Sequence, residues 1–481
     1  VIDILYLVVV LLLTVDTVAI ATLILAERRD PQSVLTWLVV IVALPFVGFA
    51  LYMLFGFTYF NERKFSFKTR RDQEFLDRIA KAQELGAPVE LGHHNLGDLD
   101  DHPDLARMLL VDGAAFLTTG NQVDVFTDGN AKFDALFEAI EGAKKNINLE
   151  YYILRNDVLG QKLVRALDRK AQEGIAVRLL YDDMGNKIPA KGFRDLRAHG
   201  GKVSSFYHAL IPSVGLRVNY RNHRKIAVID GTVGFLGGFN VGTEYLGEGP
   251  LGAWRDTAVR IRGSGARALQ LRFVLDWNYA THEGLTLGAD FFPEAPSLGP
   301  CAIQIVSGGP DTRWNPPHQE YLKMISTAKR TFYLQTPYFI PDASVLMELR
   351  IAALAGVDVR IMIPTKPDHP FVHWASLSYL GELLGAGVRG FSYDAGFLHA
   401  KTATVDDFAT SIGTANWDIR SFKWNFETNA VIYDRKLAAE YRAIFEDDMT
   451  RCTEITKEWY ATRGEWINLR ESVSRLFSAA L

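Results

Sequence analysis

The strongest constraint in this sequence is a segment that occurs twice. His223-Arg224-Lys225 is followed by Asp230, and His399-Ala400-Lys401 by Asp406, so each copy reads H-x-K-x-x-x-x-D. The histidine, lysine and aspartate of the second copy each lie 176 positions after their counterparts. The echo runs on downstream, where Gly237, Gly238 and Asn240 answer to Gly413, Thr414 and Asn416. One such match arises by chance in many chains. Two in register, trailed by the same glycine and asparagine, require a fold built of two related halves.

A second echo supports the duplication. Glu173-Gly174-Ile175-Ala176-Val177-Arg178 resembles Ala355-Gly356-Val357-Asp358-Val359-Arg360 at an offset of 182. An internal repeat of about 180 residues follows. Around the first copy, strand-like text at 122–126, 146–154 and 176–181 alternates with helix-like text at 134–144 and 161–172. The second half replays that order from Cys301 onward. The pattern predicts an α/β fold, each half a mostly parallel sheet flanked by helices. The expected boundaries are a membrane hairpin over 1–60, a linker over 61–115, a first half over 116–292, and a second half over 298–481 ending in a helix.

The hairpin is expected from two apolar runs, 4–26 and 34–57, each long enough to cross a bilayer core of ~20 residues. Arg63, Lys64, Lys68, Arg70 and Arg71 follow the second run, against Arg28 and Arg29 between the runs. The positive-inside rule then puts the C-terminal side in the cytoplasm. Asp16 sits midway along the first run, where a carboxylate needs a partner. The two cysteines, Cys301 and Cys452, read as small core residues, and His93-His94 with Asp98, Asp100 and Asp101 as solvated linker. The net charge of −4 argues against a protein that coats nucleic acid.

One histidine, one lysine and one asparagine from each half, converging at a seam, suit a group with negative charge on several oxygens. Lys225, Lys401, Asn240 and Asn416 would supply charge and donors to a phosphate. Of the two imidazoles, one attacks phosphorus and the other serves as acid and then base. Lysine is a poor metal ligand, so neither a metal nor a cofactor is expected. Asp230 and Asp406 complete the catalytic motif, yet each lies seven residues past its histidine, on the opposite pleat face. They read as braces for the backbone. Asp256 and Glu427 are the better partners for the imidazoles.

These residues resemble the phospholipase D superfamily, whose mark is the duplicated H-x-K-x-x-x-x-D segment. With Gly396-Phe397-Leu398 before His399, the run from Gly413 to Phe422, and Asn425-Phe426-Glu427, the chain is most similar to its bacterial cardiolipin synthases. The resemblance implies two phospholipase-D-like halves, with His223 as nucleophile and His399 as general acid and base. It implies phosphatidyl transfer between two phosphatidylglycerols with release of glycerol, through a phospho-histidine. A hydrolase, or a transfer to another alcohol, would use the same residues. The implied setting is the bacterial inner membrane, multi-pass, with phospholipid partners, no nucleic acid, and homodimerisation left open. One departure is Gly238, where the superfamily often has a small hydroxyl residue. His208, His369 and His373 flank the site in sequence, with packing as their simpler role. Trp459, Trp466, Leu469, Val473, Leu476 and Phe477 recur at helical spacing, which fits a helix packed on the domain or one lying on a bilayer.

Overall fold

The computed structural model describes residues 31–44, 102–207, 220–285, 288 and 291–476, with further helical positions among the first 52. The chain divides into two compact units, 1–70 with 210–219 and 71–209 with 220–481. In the first unit the helix Pro31–Ala43 is 13 residues long. Ile20, Ile41 and Tyr52 are buried together, and Trp37 meets Tyr52 edge-on at 5.4 Å between centroids. Among the described residues no helix is long and apolar enough to cross a membrane. Of the two expected spans, the first is described only at scattered positions and the second at 34–44, 47, 48 and 52; Asp16, the basic flanks, the His93-His94 segment and His208 lie outside the described residues.

In the second unit sixteen strands among the described residues form one sheet. Its seam is the antiparallel pair Leu117–Phe126 and Cys301–Gly308. Outward on one side come Ala258–Arg262, Val233–Gly237, Ile226–Ile229, Asn146–Tyr151, Ala176–Tyr181 and Lys202–Ser205. On the other side come Asn425–Tyr433, Ala409–Gly413, Thr402–Val405, Thr331–Gln335, Asp358–Pro364 and Arg389–Tyr393. The two lists match strand for strand, so the repeat seen in the sequence is a pseudo-twofold about the seam. Cys452–Ile455 adds a last strand to the second side, without a counterpart on the first.

The expectation of a mostly parallel sheet is corrected. Along the sheet the parallel pairs join Asn146–Tyr151, Ala176–Tyr181 and Lys202–Ser205 on one side and Thr331–Gln335, Asp358–Pro364 and Arg389–Tyr393 on the other; the neighbours nearer the seam, and the last strand Cys452–Ile455, pair antiparallel in that order. The cause is the motif itself. Asp230 and Gly231 have φ of 52° and 67°, and Asp406 and Asp407 have 48° and 57°. Two consecutive left-handed residues make the tight turn that joins antiparallel strands. Thr232 N–H closes the first turn on Ile229 O at 3.1 Å, and Phe408 N–H the second on Val405 O at 3.0 Å. A parallel pair needs a crossover, which the chain provides only where a helix such as Val158–Gln172 intervenes.

Capping fixes the covering helices. Asp128, Asp157, Asp342 and Asp434 each accept an N–H from the first turn of the helix they precede. Helix Gly129–Glu141 buries Phe133, Leu136, Phe137 and Ile140, the face its spacing predicts. A third core, with Ile226, Val259, Ile303, Ile305, Ile412 and Leu437, draws on both halves across the seam. The expected linker differs at its end. Pro103–Gly113 is a helix whose Leu105, Ala106 and Leu109 belong to the core of the second half. Gln304 clamps it, donating to Ala106 O at 2.9 Å and Ala115 O at 2.7 Å.

Candidate active site

Each motif histidine is delivered to the opposite half. The short strand Arg221–Asn222 pairs in parallel with Asn425 and Phe426, and His223 N–H donates to Phe426 O at 3.0 Å. By the same device Phe397–Leu398 pairs with Trp254–Arg255, and His399 N–H donates to Arg255 O at 2.8 Å. The next polar residue on each receiving strand is a carboxylate. Nδ1 of His223 lies 3.0 Å from both oxygens of Glu427, and Nδ1 of His399 lies 2.6 Å from Asp256 Oδ2. An ionised carboxylate only accepts, so Nδ1 carries the proton and Nε2 keeps its lone pair.

The carboxylates are themselves fixed. Glu427 also accepts from Thr414 Oγ1 at 2.6 Å, Ser421 Oγ at 2.9 Å and Asn425 Nδ2 at 3.2 Å. Burial pushes its pKa up, but His223, Lys225 and the Thr414 hydroxyl outweigh that and hold it below the ordinary value. Asp256 accepts from Thr257 N–H at 2.7 Å. A Cβ on Gly238 would stand 2.0 Å from Asp256 Oδ1. The departure at Gly238 therefore makes room for this carboxylate, whereas its counterpart Thr414 gives its hydroxyl to Glu427.

Both lysines are buried, and each donates to the carbonyl of the histidine two residues before it, Lys225 at 2.6 Å. Burial lowers Lys225 to about 7 and Lys401 to about 8, although Glu427 and Asp256 oppose it. Burial also lowers both imidazoles to about 4, reinforced at each by Lys225 and Lys401. Near neutral pH both imidazoles are thus neutral, with Lys225 and Lys401 set against Glu427 and Asp256. An entering phosphate anion would raise all four pKa values.

Asp230 and Asp406 do not face the imidazoles. The Asp230 carboxylate accepts from the N–H groups of Lys144, Lys145 and Asn146 at 2.7–2.9 Å. Asp406 accepts likewise from Lys329, Arg330 and Thr331. Counting them with the catalytic groups is corrected to a bracing role: each ties the motif's tight turn to the start of the neighbouring strand. Asn240 is committed in part, its Oδ1 accepting Ile153 N–H at 3.0 Å and its Nδ2 donating to Tyr245 OH at 2.8 Å. Asn416 is buried, and its N–H donates to Ser421 Oγ at 3.2 Å.

Sequence reasoning missed several groups. Arg224, the variable letter of the first motif, is buried, with Nη1 2.6 Å from Asp276, Nε 2.9 Å from Thr428 Oγ1, and Nη2 3.2 Å from Gly308 O. It fastens the two halves beneath His223. The one available signal was its contrast with Ala400. Glu150, pushed up to about 8 by burial and by Asp276, accepts from Asn222 Nδ2 at 2.5 Å. Tyr152 packs on His223 at 5.0 Å between centroids, and Trp254 on His399 at 5.1 Å. His369 is exposed, and His373 is lowered to about 4 by burial and Arg470.

A duplicated sheet with two crossed histidine–carboxylate pairs and two buried lysines defines a phospholipase-D-like site for phosphodiesters. The comparisons narrow the class. The family described as cardiolipin synthase, PLD-like domain, matches residues 136–249 and 321–449, and the phospholipase D-nuclease N-terminal family matches 14–56. The cardiolipin synthase of Staphylococcus aureus (strain Mu50) is 46% identical over 463 residues, 96% of this chain and 94% of that one. The major cardiolipin synthase ClsA of Bacillus subtilis (strain 168) is 47% identical over 458 residues, 95% of each chain. A phosphatidylserine synthase from Haemophilus influenzae has the same fold, with a TM-score of 0.57 at 13% identity, over 79% of this chain and 98% of that one. The chain belongs to the cardiolipin synthase family of phospholipase-D-like proteins.

Proposed function

We propose that this chain is a cardiolipin synthase, joining two phosphatidylglycerols and releasing glycerol. The observation that carries the reading is the pair of imidazoles, each oriented by a carboxylate of the other half and flanked by Lys225 and Lys401. The lysines bind the lipid phosphate, with Asn240 and Asn416 beside it. Nε2 of His223 attacks phosphorus. The bond from phosphorus to the headgroup glycerol breaks, and His399 gives that oxygen its proton. His399 then takes a proton from the glycerol hydroxyl of a second phosphatidylglycerol as this oxygen attacks phosphorus. The phosphorus–nitrogen bond breaks and restores His223. Two lipids become one cardiolipin and one glycerol.

The phosphate supplies the protonation state that the first step needs. Its negative charge, placed beside His399, raises an imidazole that burial and the two lysines keep neutral. Splitting the displacement in two lets one alcohol replace another without both lipids crowding phosphorus at once.

The first 60 residues act as a membrane hairpin, with the catalytic halves on the cytoplasmic side. Two long apolar runs, the match of the N-terminal family, and the exposed Leu35, Val39 and Val42 of helix Pro31–Ala43 support this. The test is mass spectrometry of lipids formed by purified full-length protein from phosphatidylglycerol, beside His223→Ala. Cardiolipin and glycerol in equal amounts from wild type alone are expected. Phosphatidic acid as the sole product would replace the synthase by a hydrolase. A reporter fused after Leu481 should resist protease added outside intact cells, and its digestion would reverse the topology.

A further inference from the structure

The last helix, Glu465–Leu476, is packed inside out. Trp466 and Leu476 are 83% and 81% exposed, and Leu469 and Val473 share their arc of the helix. The opposite arc, which meets the protein, carries Glu471 and Ser474, both buried. Glu471 is held by Arg463 at 2.5 Å and by Tyr460 OH at 3.2 Å. Arg475 reaches Glu382 at 2.5 Å, and Arg470 lies over the Trp374 ring at 4.2 Å. The helix is therefore fastened through polar contacts to Pro370–Leu384 and to Tyr460 and Arg463, while Trp466, Leu469, Val473 and Leu476 face outward. Exposed Phe371 and Trp459 extend the same chemistry.

Leaving this much large apolar surface in water is unfavourable and marks an interaction site. Its position selects the occupant. Phe371 and Trp374 lie in the first turns of Pro370–Leu384, just after Asp368. The Asp368 carboxylate accepts from Tyr338 OH, and its charge acts on Lys401. The loop that leads into the patch thus lies within electrostatic reach of the phosphate-binding lysine. Its composition is tryptophan, phenylalanine and leucine with Arg470 at the edge, the mixture that sits at a bilayer interface.

We propose that the outward face of Glu465–Leu476, with Phe371 and Trp459 beside it, docks on the surface of an anionic phospholipid bilayer. It presents the His399 side of the site to lipid headgroups. The proposal rests on the phosphatidyl-transfer reading for its purpose, but its physical content is insertion. An anchor at one end of a chain tethers without orienting; a second contact next to the site fixes which way the site faces.

Full-length protein in phosphatidylglycerol vesicles, in a Cys452→Ser background, would carry one spin label at a time, through Trp466→Cys, Leu469→Cys or Asn468→Cys. Relative access to oxygen and to a water-soluble nickel chelate gives depth. Labels at 466 and 469 should lie about 5–10 Å into the boundary region, and the label at 468 should stay in water. Water-like values at all three would overturn the proposal. So would dipolar coupling between labels, which would assign the face to a second copy of the chain. In a second arm, Leu469→Glu with Val473→Glu should slow turnover of vesicle phosphatidylglycerol about tenfold or more, by loss of buried apolar area. Turnover of short-chain phosphatidylglycerol dispersed as monomers should be unchanged. Equal loss on both substrates would overturn the proposal. Absence of transfer by the parent protein would overturn the functional reading alone, since the labels report depth without catalysis.

Discussion

Glu427 of the second half holds Nδ1 of His223 of the first, at 3.0 Å from each carboxylate oxygen. Asp256 repays the relation at His399. Neither motif histidine finds its carboxylate within its own half. A cut between the halves removes the orienting group from both imidazoles, even though each motif stays whole.

Glu427→Gln keeps the shape of that contact and removes its charge. Loss of an orienting, charge-stabilising carboxylate should lower kcat by about 10²–10⁴. The rate of cardiolipin formation under saturating lipid measures this. A variant within threefold of wild type would remove Glu427 from the mechanism.

The roles of the two histidines separate with a lipid whose leaving group needs no acid. On phosphatidyl-p-nitrophenol, His399→Ala should release about one nitrophenol per enzyme and leave a phosphatidyl adduct on His223, because hydrolysis of the intermediate then lacks its base. His223→Ala should give neither. An adduct mapped to residue 399 in the parent protein would exchange the roles.

Gly238→Thr would bring the superfamily's hydroxyl residue to the first half, but a Cβ there meets Asp256 Oδ1 at 2.0 Å. Displacing Asp256 by about 1 Å misaligns His399, which costs on the order of 10²-fold in rate. Thr414→Ser, which keeps the donor to Glu427, should stay near wild-type activity. Equal rates for Gly238→Thr and wild type would contradict the crowding.

Asp230→Ala and Glu320→Gln are expected to act on stability. Asp230→Ala strands three N–H groups and puts a β-carbon without a local acceptor in the left-handed turn. It should destabilise by about 2 kcal/mol, with kcat of the folded fraction largely kept. A hundredfold loss of kcat at an unchanged melting temperature would return Asp230 to the reacting groups.

Glu320 is buried against Ser411 and Asn429, and burial pushes it up to about 8. The folded protein keeps this proton until about pH 8, while an unfolded chain releases it near 4.5. Between those values the native state binds more protons, so its contribution is present at low pH and is lost as pH rises. Glu320→Gln should therefore melt near wild type at pH 5 and higher than wild type at pH 9. Parallel melting curves at both pH values would show that Glu320 is already ionised in the folded protein.

Activity should fall with pH in the same range for a different reason. Lys225 and Lys401 bind phosphate only when protonated, and they sit near 7 and 8. Because kcat/KM reports the free enzyme, its fall with pH should steepen there, and the added slope should move upward in Lys225→Arg.

The site was legible in the sequence because its members recur at fixed spacing. His223, Lys225 and Asn240 announce themselves through His399, Lys401 and Asn416, and Asp256 and Glu427 lie downstream of each set. The exchange of carboxylates between halves was not legible, because it depends on Arg221–Asn222 pairing with a strand some two hundred positions away. The antiparallel centre leaves no mark in the helix and strand spacing; its signal is the pairs Asp230-Gly231 and Asp406-Asp407, which take up the left-handed turn. The orientation of the last helix could not be read at all. Apolar spacing at 466, 469, 473 and 476 predicts a buried stripe, whereas the contacts of Glu471 with Arg463 and Tyr460 and of Arg475 with Glu382 hold the opposite arc against the protein.

The helix Pro103–Gly113 sets an order on biosynthesis. It is made before the first half, yet its clamp, Gln304, is 198 positions beyond the carbonyl it binds at Ala106. A ribosome making this chain exports Leu105 and Leu109 long before the core that receives them exists. The nascent chain carries this apolar helix through the synthesis of its first half, whose own core is formed by other residues. A chain ended after residue 292 would keep this helix without a place for it, which makes the duplicated protein a single unit of translation as well as of catalysis.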